Sequence, residues 1–71
     1  MITDKIKTFV DIMLKRGHNI EVIKNSYLDI LQSESDYDEI LQFLSNNKTA
    51  SKEDVNYEIH KIYLKHRGIN I

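Results

Sequence analysis

At 71 residues the chain has room for one small domain, residues 1–71, whose core would leave about 3–5 kcal/mol of net stability. The absence of cysteine excludes a disulfide, a thiolate zinc site and a cysteine nucleophile. Hydrophobic residues at 41% and charged residues at 30% describe a folded chain, and the formal net charge of -1 is not that of a typical DNA-binding domain.

No stretch approaches the roughly 18 consecutive apolar residues of a membrane span. The opening MITDKIKTF has charges where a signal peptide would be apolar, so the expectation is a cytoplasmic protein. The charge is arranged in blocks. Residues 1–24 carry five basic and three acidic side chains. Residues 25–47 carry five acids (Asp29, Glu34, Asp36, Asp38, Glu39) and no Lys or Arg. Residues 48–71 return to five basic and three acidic. Attraction between segments of one fold is the simplest reading of such blocks; opposed acidic and basic faces that steer partners is the other.

There is no proline, and the only glycines are Gly17 and Gly68. Apolar residues recur at three and four, not two, which predicts an all-α fold: a compact bundle of four short helices near 4–16, 20–32, 36–45 and 52–67. Thr3 is the expected cap of the first helix, with Asp4 on its dipole and Ile6, Phe9, Val10 and Met13 as its stripe. Lys15 and Arg16 fall at its negative end, and Gly17 can take the left-handed conformation that stops it. Asn19 is the expected cap of the second helix, which buries Ile20, Ile23, Tyr27, Ile30 and Leu31 and ends near Gln32.

Ser35 with Asp38 has capping-box spacing for the third helix, whose stripe is Tyr37, Ile40, Leu41 and Leu44. Asn46 and Asn47 supply its stop. Ser51 with Asp54 repeats the device before Val55, Ile59 and Ile62. Lys65, His66 and Arg67 crowd the end of the last helix, Gly68 stops it, and Ile69 is placed to pack back onto it. The expected core is Ile6, Phe9, Val10, Met13, Ile20, Ile23, Tyr27, Leu31, Ile40, Leu41, Leu44, Val55, Ile59 and Ile62.

LKRGHNI (14–20) and LKHRGINI (64–71) are near-copies. At an offset of fifty, Asp4/Asp54, Ile12/Ile62 and Lys15/Lys65 are identical, but Ile6 meets Asn56 and Val10 meets His60. The core stripe does not carry over, so the echo is shared helix-stopping chemistry, not duplication. If the two glycine ends lie together, Lys15, Arg16, Lys65 and Arg67 form one basic patch.

The rhythm of residues 4–46, helix, glycine turn, helix, short loop, helix, resembles a ubiquitin-associated domain. That family carries a Met-Gly-Phe or Met-Gly-Tyr turn used in binding. Arg16-Gly17-His18 stands in its place here, and no ubiquitin binding is carried over.

Candidate chemistry is sparse. His18, His60 and His66 lack metal-ligand spacing, and Asp36 with Asp38 lacks the glycine and terminal Glu of a calcium loop. No nucleophile elbow or phosphate loop is present, and the expectation is a non-enzyme without metal or cofactor. The last helix is apolar on two sides: opposite Val55, Ile59 and Ile62 lie Tyr57 and Leu64, with His60 beside them and Lys61 and Lys65 as a basic rim. These residues predict a protein-binding surface, with Lys15, Arg16 and Arg67 as a basic patch. The expected function is a small adaptor, antagonist or regulator, homodimeric through the last helix in one form. Its richness in Ile, Lys and Asn is of the kind associated with AT-rich bacterial, phage or mobile-element genomes.

The alternative is a helix-turn-helix DNA binder using Lys52, Asn56, His60, Lys61, Lys65 and Arg67. The connector SNNKTAS is long for that motif, and the preceding helix is acidic.

Overall fold

The computed structural model describes residues 1–68 and contains four helices. α1 is Ile2–Lys15. α2 is a continuous helix over 20–30, α-helical at Ile20–Val22, π-helical at Ile23–Tyr27 and α-helical again at Leu28–Ile30. α3 is Glu34–Asn46 and α4 is Lys52–His66. No helix among the described residues is long and apolar enough to cross a membrane.

The acidic α3 is the centre of the arrangement. It packs against α1 on one side and α4 on the other, and the last turn of α2 reaches α4. The charge blocks follow this order: Lys5 of α1 pairs with Glu34 at 2.8 Å and Asp38 at 2.5 Å, and Lys65 of α4 pairs with Glu39 at 3.3 Å. The chain therefore uses these charges to hold neighbouring segments together.

Phe9, Met13, Ile23, Tyr27, Leu31, Tyr37, Ile40, Leu44, Val55, Ile59 and Ile62 form the buried core. Phe9 and Tyr37 meet edge to face at 5.8 Å, tying α1 to α3. Ile23, Tyr27 and Leu31 are spaced by four, a spacing that drifts around a 3.6-residue helix. The wider π turn between the first two offsets that drift and keeps all three inward. Ile6, Val10 and Leu41, expected in the core, are half-buried at its edge. Ile20 is exposed, because it occupies the first turn of α2 at the outer end of that helix.

The stop of α1 is a full Schellman motif. Gly17 has φ +87°, His18 N–H donates to Met13 O, and Gly17 N–H donates to Leu14 O, both at 3.0 Å. His18 occupies the position after the glycine that packs back onto the helix, which accounts for its burial. Gly68 likewise has positive φ; Ile69 lies outside the described residues.

Three expected boundaries move. Thr3 lies inside α1, whose first turn accepts Met1 as its flanking residue without a side-chain cap. α2 ends at Ile30, before Gln32, because Leu31 turns extended to reach the core. α3 begins two residues early: Ser33 and Asp36 make the capping box, not Ser35 and Asp38. Asn19 and Ser51 cap α2 and α4 as expected.

Candidate interaction surface

The two sides of α4 differ as the sequence predicts. Val55, Ile59 and Ile62 are fully buried against α3 and its neighbours. Tyr57 points outward with 69% of its surface exposed, and His60, Lys61 and Lys65 are exposed with it. His60 Nδ1 lies 2.9 Å from Asn56 O. Leu64 is half-buried, so it flanks this face more than it projects from it. Two of the expected basic rim residues are engaged within the chain: Lys61 with Glu58 at 3.5 Å, and Lys65 with Glu39. The face is therefore centred on Tyr57 and less basic than its composition implies.

Tyr57 stands at one edge of a cleft of about 530 Å³. The cleft runs between the end of α3, the connector 47–51 and the first two turns of α4. Phe43, Ala50 and Tyr57 give it apolar surface, and Asp54, Glu58 and Lys48 give it charge. The sequence contains the signal for this cleft in Phe43, an aromatic residue off the stripe of α3. Phe43 packs partly on the core and leaves its remaining edge in the lining.

The basic patch is divided. Arg16 donates to Leu44 O at 2.7 Å and Asn47 O at 2.9 Å, at the C-terminal end of α3. Arg67 donates to Ile30 O at 2.8 Å and lies 3.7 Å from Asp36, at the N-terminal end of α3. The two arginines thus sit at opposite ends of one helix, with Lys15 exposed on the α1 side. Each arginine caps carbonyls at the end of another helix, where its position in the sequence predicts service to its own.

Asp36, weighed in the sequence only as half of an incomplete calcium loop, is buried, with 1% of its surface exposed. Its carboxylate accepts from Gln32 N–H at 2.9 Å and Ser33 N–H at 3.2 Å, and from the ring Nδ1 of His66. Burial alone would raise its pKa; the His66 hydrogen bond and those from Gln32 and Ser33 outweigh it and hold the group at about 2. Nε2 of His66 faces Glu39 at 3.2 Å. Both ring nitrogens thus face carboxylates rather than a hydroxyl or thiol, and the cluster works as a clamp joining the α2–α3 turn to the end of α4.

His18, against Tyr27 at 5.9 Å, is the other buried ring. Burial, then the charges of Lys52 and Arg16, lowers its pKa and so favours the uncharged ring. Its Nε2 has no partner among the described residues. No group of three or more His, Asp or Glu among the described residues is arranged to hold a metal ion.

Comparison with protein-family models, with curated proteins and with solved structures finds no match.

Proposed function

We propose that this protein is a non-catalytic protein-interaction module, an adaptor, antagonist or small regulator, that engages its partner through the outer side of α4 with Tyr57 as anchor. The observation that carries this reading is the contrast among its aromatic residues. Phe9, Tyr27 and Tyr37 are buried and Phe43 and Tyr63 are half-buried, whereas Tyr57 is held in water beside a cleft. Exposing an aromatic ring forgoes the burial that helps stabilise so small a domain. Tyrosine is also enriched among the residues that dominate binding energy at interfaces. His60 and Lys61 lie on the same outward surface and Leu64 and Lys65 along its flank, which supports a binding surface with Tyr57 at its centre. A second copy of the chain is one such partner.

The test is sedimentation of the purified full chain, with capture of host proteins on the immobilised chain, for wild type and Tyr57→Ala. The expected result is association weakened by at least roughly tenfold with helical circular dichroism unchanged. Association at wild-type strength in the variant, or loss of its fold, would remove the reading.

A further inference from the structure

We propose that the cleft between α3 and α4 receives an arginine side chain of a protein partner, its guanidinium lying on the Tyr57 ring and donating to the Asp54 carboxylate. This rests on the reading of Tyr57 as an interface anchor and names the chemistry that anchor would meet.

The molecule supplies its own precedent. The guanidinium of Arg67 lies over the Tyr63 ring, 4.9 Å from its centroid, and 3.7 Å from the buried Asp36 carboxylate. Ring, carboxylate and arginine make a closed set at that end of α4. At the other end Tyr57 and Asp54, three residues apart and so on neighbouring turns of one face, present a ring and a carboxylate with no arginine between them.

Asp54 has the capacity to accept. Its backbone N–H donates to Ser51 Oγ at 3.1 Å, but its carboxylate makes no hydrogen bond or ion pair among the described residues. Asp36, in the corresponding position of the other cap, accepts from two backbone N–H groups and from His66. The cleft also holds the Glu58 carboxylate, already paired with Lys61 at 3.5 Å, and the ammonium of Lys48, so Asp54 is the acid of the lining left to meet a cation. Phe43 and Ala50 offer apolar surface to the methylene stem that carries it.

Arginine suits this arrangement better than lysine. Its planar cation is weakly hydrated, stacks on an aromatic face and donates as a fork to a carboxylate. An ammonium would keep more of its water and lose the stacking.

The experiment is an amide chemical-shift titration of the labelled full chain with N-acetyl-arginine-N-methylamide. The lysine and citrulline counterparts are run beside it. The expected result is saturable shifts confined to 47–50 and 54–58, on the order of millimolar affinity for so small a probe. Binding should be weaker for lysine and absent for citrulline, which keeps the shape without the charge. Asp54→Asn, which preserves size and leaves the Ser51 cap in place, should weaken arginine binding at least roughly tenfold. No saturable shift, equal binding of citrulline, or wild-type binding by Asp54→Asn would each overturn the assignment. The two proposals fail separately. Partner association lost in Tyr57→Ala but kept in Asp54→Asn removes the arginine and keeps the interface. Saturable arginine binding without any Tyr57-dependent association keeps the site and removes the interface.

Discussion

Two helices of this protein begin with the same words, Ser-x-x-Asp, and the chain employs them differently. At the start of α3 the Ser33 hydroxyl accepts from Asp36 N–H, and the Asp36 carboxylate returns the bond to Ser33 N–H. At the start of α4 the Ser51 hydroxyl accepts from Asp54 N–H, and the return bond is not made. The local motif is common to both; the surroundings separate them. Asp36 is enclosed by His66 and Arg67 from the far end of α4, whereas Asp54 opens onto a cleft. A capping carboxylate that tertiary contacts enclose becomes a structural joint, and one left at the surface remains available for recognition.

The strongest way to break this comparison is to remove each carboxylate. Asp36→Ala leaves the Gln32 and Ser33 N–H groups without their acceptor and strips His66 and Arg67 of their contact at a buried site, and should cost about 3–5 kcal/mol. In so small a domain that is enough to abolish the helical signal in circular dichroism at room temperature. Asp54→Ala should cost no more than about 1 kcal/mol, the worth of an acid in the first turn. Similar losses from both changes, measured by urea denaturation, would dissolve the distinction.

Acid should separate them next. The folded pKa of Asp36 is about 2 against an ordinary value of 3.8, so its stabilisation is present above the higher value. It is lost as pH falls through the lower one, about 2 kcal/mol in all. Urea midpoints between pH 5 and pH 2 should fall accordingly in the wild type, and Asp36→Asn should lack that part of the decline.

The smallest effect sharpens the comparison by equality. Ser33→Ala and Ser51→Ala should each cost about 1 kcal/mol, since both hydroxyls cap one N–H of the same kind. If thermal unfolding finds them equal within a few tenths, the difference between the caps resides in the carboxylates alone.

Helix number, the glycine stops, the caps at Asn19 and Ser51 and most of the core were legible from spacing and turn chemistry, because those signals are local. The start of α3 was not. SESD offers two overlapping boxes, Ser33 with Asp36 and Ser35 with Asp38, and local chemistry cannot choose between them. His66 and Arg67, thirty residues away, decide in favour of the first. The same separation hid Asp36 as a buried charge and hid the real work of Arg16 and Arg67. The cations before each glycine were legible as helix-end chemistry, but which helix end they serve depends on tertiary contacts. The outward side of α4 was legible from its angular spacing; the cleft beside it depends on the connector 47–51, whose path no periodicity describes.

The crossing of Arg16 and Arg67 to other helices has a consequence for how the chain matures. Three helices can form once residues 1–46 have been made, but Asp36 then lacks the His66 hydrogen bond that helps hold it charged and the Arg67 guanidinium beside it, and the end of α2 lacks the cation on Ile30. Both arrive together with residues 66 and 67. The last turn of α4 is thus a latch: until it closes, the joint between α2 and α3 carries a carboxylate without its partners from α4, and a nascent chain acquires its full stability in a late step rather than helix by helix.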